Sequence, residues 1–412
     1  STIHPPLGAA INYLFNKIPV LQVECVDRFI EWLSMHLSNF DFQWLWADWV
    51  KVAAYHDHHP QRRFVGALLQ RCTRLAYFEK LRAVLAAANA PHLSSLMQQD
   101  VSAVFPYEDA EHPLHTVAAE VQDMVSLAKR CENAALEEYV AEKLSNLPTE
   151  APSADRVKVL VAGMVFEGRE SFSHALGILG RYLPVLRSVI DSKEDEQAAA
   201  AAVSEVWVKS TQSCIMVMDK LVAMKLISPI TLVQWLLNDY HAIEAKQDYM
   251  WELLFLCLSK PVALVSTVKK DLAATQKELD DLKTAGTNPE EIEEKEDRKS
   301  RIKAVLRVAL NDQDAILVAA VKGLVLLGNM AAAKRDGELQ ERKPALDQPP
   351  GEGEEGKHSV WFAALCGRLM QLGRQYGEQI RECKEMLEEE LGALDVEDAT
   401  IRKLIVTVQS MR

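Results

Sequence analysis

Apolar residues recur at helical spacing along almost the whole chain. Val26, Phe29, Ile30, Leu33 and Leu37 stand at i, i+3, i+4, i+7 and i+11, which is one face of an α-helix. Val159, Leu160, Met164 and Val165 continue the pattern, as do Val206, Cys214, Met218 and Leu221. No stretch alternates apolar and polar residues between turn signals, so strands are not expected. The pattern predicts an all-α chain. Prolines punctuate the helices at Pro5-Pro6, Pro60, Pro91, Pro106, Pro113, Pro148, Pro152 and Pro229. Proline starts or stops a helix because it lacks the N–H donor and fixes φ. Helices of the resulting length, in antiparallel pairs, predict an α-solenoid. No repeat is regular enough for tetratricopeptide or ankyrin units, so the expectation is a HEAT-like array.

Two segments depart from this rhythm. In 261–310, Val265, Val268, Leu272, Thr275, Leu279 and Leu282 are spaced 3, 4, 3, 4, 3, a heptad seam with charged flanks. A turn, Thr284-Ala285-Gly286-Thr287-Asn288-Pro289, leads to a charged second arm that runs into the apolar helix from Ile302. This predicts a coiled-coil hairpin protruding from the array. The second segment, 331–358, is polar and rich in Gly, Pro and Glu. Its composition predicts a mobile loop, because it has too little apolar area to offset its ordering entropy.

The stretch FQWLWADW, Phe42 to Trp49, holds three of the chain's eight tryptophans. Such rings stack on nucleobases or fill cores. Trp46, Trp49, Val50 and Ala53 fall at i, i+3, i+4 and i+7, which is core spacing. Phe42 and Trp44 precede that helix and are placed to staple its start onto the helix at 26–38. Burying one such ring is worth about 2–3 kcal/mol by area. Phe42, Trp44, Trp46 and Trp49 are therefore structural-core candidates.

Composition narrows the function classes. The chain has 412 residues, 49% of them hydrophobic, enough for two or three packed units. It opens at Ser1 with no initiator methionine, as a fragment or a processed product would. Lys and Arg number 46 against 59 Asp and Glu, a net charge of −13. That balance opposes phosphate backbones, and no Lys/Arg cluster is longer than the one in Gln61-Arg62-Arg63. The seven cysteines form no C-x-x-C pair, and six lie in apolar helical runs, which predicts buried thiols in a reducing compartment. There is no unbroken run of 18 apolar residues and no secretory n-region, so no membrane partner is expected.

Candidate chemistry is sparse. His56, Asp57, His58 and His59 crowd before Pro60, but consecutive side chains diverge, and no second cluster adds a ligand or a general base. Glu137-Glu138 and Glu388-Glu389-Glu390 fall on helix surfaces, where a solvated face explains them. No phosphate loop, dinucleotide fingerprint, nucleophile elbow or zincin motif occurs. Neither a catalytic residue nor a cofactor or metal is expected.

The wording of the first helices is more specific. VDRFIEWLSMHLSNFDFQWLWADW (26–49) resembles the large-subunit family of the nuclear cap-binding complex. RFVGALLQRCTRLAY (63–77), SFSHALGILGRYLPVL (171–186), VMDKLVAMKLI (217–227), VQWLL (233–237), WELL (251–254) and QKELDDLK (276–283) follow in the family's order. The resemblance implies helical domains like the middle domain of initiation factor 4G. Residues 1–60 would close the family's second domain. Residues 61–412 would form the third, with the hairpin at 261–310 and the loop at 331–358. It implies a nuclear scaffold, shuttling to the cytoplasm, that clamps a small subunit with an RNA-recognition motif. That subunit would hold the 7-methylguanosine cap, so capped RNA would be met indirectly. RNA processing and export factors would be further partners, in splicing, export and nonsense-mediated decay. In this family the cap-stacking rings belong to the small subunit, which agrees with a packing role for FQWLWADW. The alternatives are another helical-array adaptor, such as a translation factor, and an all-α hydrolase built on His56–His59.

Overall fold

The computed structural model describes residues 4–57, 59–128, 153–238, 247–285, 289–342 and 357–410. Among them every regular element is helical. The chain divides into two compact units. Unit 1 gathers 1–101, 324–377 and 394–412; unit 2 gathers 102–323 and 378–393. The expected division at 60/61 falls inside unit 1, where the helices on either side of it pack together. Cys131 and Glu137-Glu138 lie outside the described residues.

Unit 1 begins with α1 (His4–Lys17) and α2 (Val23–Asn39), then a 3₁₀ helix, Trp46–Ala54. Helices α3 (Pro60–Leu75) and α4 (Phe78–Ala87) and a 3₁₀ turn, Pro91–Leu96, complete its first segment. The expected face of α2 is the buried one: Phe29, Leu33 and Leu37 are buried, with Val26 and Ile30 packed beside them. No glycine ends α2. Asp41 takes the left-handed conformation (φ 54), and the Phe42 N–H donates to the Leu37 carbonyl at 2.7 Å. This is the six-to-one bond of a Schellman motif, with Phe42 and Leu37 supplying its apolar contact.

Unit 2 is built around α6 (Ser153–Glu167), between α5 (His115–Ala128) and α9 (Lys193–Val206). Val157, Leu160, Val161, Met164 and Val165 are buried on one face and Val159 and Ala162 on the other, so α6 is apolar around most of its circumference as a central helix must be. Helices α7 (Phe172–Arg181), α8 (Leu183–Val189), α10 (Thr211–Ala223) and α11 (Pro229–Asn238) pack outside it. The α9 N-terminus is held by Ser192, which accepts from the Asp195 N–H at 3.1 Å. Burial pushes the Asp195 carboxyl up, but hydroxyl donors on Ser192 and Ser153 hold it below the usual carboxylate range.

Helices α12 (Gln247–Ala285) and α13 (Pro289–Arg342) form the hairpin. Val265, Val268, Thr275 and Leu279 are buried along its seam, and most flanking residues are exposed. Lys283 Nζ donates to Glu296 at 2.6 Å, and Lys295 pairs with Glu278, which fixes an antiparallel register. Gly286, Thr287 and Asn288 lie outside the described residues. Two stretches, in Tyr249–Thr284 and Pro289–Gly337, are long and apolar enough to cross a membrane by composition. Both carry core residues, among them Leu253, Leu254, Leu258, Val321 and Val325. A buried core helix passes the same test.

The expected loop at 331–358 needs correction. Helix α13 continues to Arg342 and α14 (Lys357–Glu382) begins near the loop's far end; residues 343–356 lie outside the described set. AAAKRDGELQER consists mostly of strong helix formers, and Ala331 and Ala332 are buried. Helices α15 (Lys384–Gly392) and α16 (Ala399–Ser410) close the described chain. Cys25 is exposed, against the expectation of buried thiols. Cys72, Cys214, Cys257 and Cys383 are buried, and burial pushes the Cys72 and Cys257 thiols up to about 12.

Candidate partner-binding surface

The aromatic stretch folds into a closed cluster. Segment 46–54 is a 3₁₀ helix rather than an α-helix, so its buried face recurs every three residues: Trp46, Trp49 and Val52. Val50 and Ala53, expected on that face, are only partly buried. The Trp49 ring stacks on Phe15 at 4.3 Å and 13°, and meets Trp46 edge-on at 5.9 Å. Trp44 tilts against it at 5.4 Å. Trp49 Nε1 donates to Asn12 Oδ1 at 3.1 Å, and Trp46 Nε1 to the Phe42 carbonyl at 3.0 Å. Phe42 is buried and Trp44 partly so. Phe42, Trp46 and Trp49 are thus closed off from solvent, and a base could not reach their faces without opening the core.

Within the histidine cluster, His59 has a structural role. His59 caps α3, its Nδ1 accepting from the Gln61 N–H at 3.3 Å, and its ring lies 4.2 Å from Tyr55. Asp57 pairs with Arg62 at 2.9 Å; His58 lies outside the described residues. Among the described residues, no three or more His, Cys, Asp or Glu side chains gather so as to hold a metal ion. Arg62 and Gln61 beside the cluster are spent on the fold. Arg62 donates to the Tyr55 carbonyl at 2.9 Å and to the Ala53 carbonyl, and Gln61 Nε2 donates to the Phe15 carbonyl at 3.1 Å.

A second aromatic row lies on the outer side of α2, at i, i+4 and i+8, away from the face read from the sequence. Trp32 is 46% exposed and Phe40 47%, with His36 between them. Trp32 stacks on His36 at 5.3 Å and 15°, and His36 meets Phe40 at 4.7 Å. Phe29 lies against the other side of Trp32 at 6.3 Å, tying the row to the core. Trp32 is therefore held between two ring neighbours while nearly half of it stays exposed, and the row offers apolar bulk. Met35, also on this helix, is 49% exposed. Rigid aromatic edges fixed to a core helix suit a protein contact better than an inserted base. The four-residue spacing of Trp32, His36 and Phe40 was visible in the sequence but lay outside the dominant apolar face.

These features define an all-α helical-array protein with its aromatic rings committed to packing and one partly exposed aromatic row. The chain belongs to the MIF4G-like family: two descriptions of that family match, over residues 1–87 and 105–381. It is 22% identical to nuclear cap-binding protein subunit 1 of Anopheles gambiae over 431 aligned residues, covering 95% of this chain and 49% of that protein. The same protein of Aedes aegypti is 22% identical, with 95% and 50% covered. Nuclear cap-binding protein subunit 1-A of Xenopus laevis is 25% identical over 286 residues, 66% of this chain and 35% of that protein. The chain thus spans about half the length of the mosquito relatives.

Proposed function

We propose that this chain is the scaffold part of a nuclear cap-binding complex and performs no catalysis. It clamps a small subunit with an RNA-recognition motif, which holds the 7-methylguanosine cap, and it offers surfaces to RNA processing and export factors in the nucleus and during shuttling to the cytoplasm. The relatives named as nuclear cap-binding protein subunits support this reading. The observation that carries it is the closure of the Phe42–Trp49 cluster, which leaves cap stacking to a partner. The Trp32–His36–Phe40 row is the surface we assign to that partner. The mechanism is population shift: a scaffold that raises the partner's cap-competent fraction from about 1% to near unity tightens apparent affinity about 100-fold.

The test is a fluorescence titration of a cap analogue against this chain, the small subunit, and the two together. Tight binding is expected only for the mixture, and Trp32→Ala with Phe40→Ala should weaken co-purification of the small subunit. Micromolar cap binding by this chain alone would overturn the reading. Equal affinity for the small subunit with and without the chain would remove the mechanism.

A further inference from the structure

The hairpin carries a concentration of positive charge that no contiguous run reveals. Residues 298–307 hold Arg298, Lys299, Arg301, Lys303 and Arg307 and no acidic residue. The facing stretch of α12, 268–277, holds Lys269, Lys270 and Lys277 against Asp271 alone. This band sits on a chain of net charge −13. The cross-arm pairs Lys283–Glu296 and Lys295–Glu278 set a register that brings Arg307 alongside Lys269 and Lys299 alongside Lys277. Lys299, Lys303 and Arg307 follow at i, i+4 and i+8, each step rising about 6 Å along one flank of α13. Lys303 and Arg307 are exposed, and Lys299 is partly so.

Nearby carboxylates offset only part of this charge. Glu296 is paired with Lys283 and also feels Lys299, and Glu382 faces Lys269 at 3.7 Å. Lys270, Lys277, Arg301, Lys303 and Arg307 enter no ion pair among the described residues. Evenly spaced cations on a rigid helix match a uniformly charged polymer. A protein epitope would call for apolar anchors within the row; Val305 and Val308 are exposed on the same stretch but fall outside the i, i+4, i+8 row, which itself presents only cations. The step is also close to that between successive phosphates of an extended strand.

We infer that the Lys299–Lys303–Arg307 flank of the hairpin binds the phosphate backbone of single-stranded RNA, without base specificity. This contact belongs to the chain itself and does not depend on the cap-complex reading. The full chain should bind a fluorescein-labelled, uncapped twelve-nucleotide oligouridine in an anisotropy titration, with affinity falling as salt rises. For single strands each phosphate contact contributes about 0.7 to the slope of log affinity against log salt. The triple variant Lys299→Gln, Lys303→Gln, Arg307→Gln should therefore lose about 2 from that slope. Arg298→Gln with Arg301→Gln removes charge from the opposite flank of α13 and should change the slope less per charge lost. Circular dichroism should show native helix content in both variants, since the positions are surface ones. The inference is overturned if the chain does not bind the RNA at low salt, or if the triple variant keeps the native slope. Equal losses per charge from the two flanks, or tighter binding of polyglutamate than of RNA, would also overturn it. None of these outcomes bears on cap affinity, because neither a cap nor the small subunit is present.

Discussion

Trp49 shows how a residue's role follows from size, period and polar satisfaction together. Its ring is too large to leave exposed cheaply, and its N–H needs an acceptor once buried. Asn12 supplies that acceptor and Phe15 the facing ring. We expect Trp49→Ala to destabilise unit 1 by about 3–5 kcal/mol through the cavity it leaves. A thermal midpoint unchanged from the native chain would show that the ring contributes no packing. The aromatic density of 42–49 was plain in the sequence, as was its core spacing. The 3₁₀ geometry was not, because nothing in so short a segment announces a period of 3.0 rather than 3.6; the difference of about 20° per residue then shifts the buried position from the expected Val50 to Val52. The stop of α2 was hidden as well. Asp41 accepts a left-handed conformation that usually signals its presence through glycine.

At the scale of elements, α16 depends on its first residues. The Asp398 carboxylate accepts from the Thr400 and Ile401 N–H groups at 2.8 and 3.0 Å, and Arg335 Nη2 lies 3.0 Å from its other oxygen. Arg335 in turn lies over the Phe362 ring at 4.2 Å. Burial pushes the Asp398 carboxyl up, but the two N–H donors and Arg335 hold it below the usual carboxylate range. A carboxylate with a depressed folded-state pKa contributes stability above its unfolded pKa, near 3.9, and loses it as pH falls through the folded value. Asp398→Ala should thus cost about 1–2 kcal/mol at pH 7. In strong acid, below the depressed pKa, the ion-pair part of that difference should vanish. Thermal melts of both chains from pH 7 to pH 2 check this, and a difference that grows on acidification would contradict it. The hairpin seam was legible because heptad spacing is a local property. The helix through 331–342 was not, because its polar, Gly-containing composition also suits a loop; Arg335's partners, Phe362 and Asp398, lie 27 and 63 residues further on.

At the scale of the molecule, unit 1 is assembled from three separate pieces of chain. Helix α14 docks on α2 through Arg368, which reaches both Asp27 oxygens, one of them at 3.3 Å, and also donates to Gln371 at 2.8 Å. Arg374 meets Glu24 at 2.8 Å, and Gly367 lies so close to Val23 that an added Cβ would stand 2.9 Å from its methyl carbon. Arg368→Ala leaves Gln371 and part of Asp27 without a donor, and we expect a cost of about 1–3 kcal/mol. Urea unfolding measures it, and a midpoint equal to that of the native chain would show that the pair contributes nothing. The helices themselves, the buried face of α2, the heptad seam and the family resemblance were determined by the sequence alone, since each rests on spacing or wording within a few turns of chain. The tertiary structure decided the rest: which distant segments share a core, where 60/61 falls within unit 1, which aromatic row stays exposed, and how scattered lysines align across two arms. Those depend on contacts between segments tens to hundreds of positions apart, and no local period encodes which partner a face will meet.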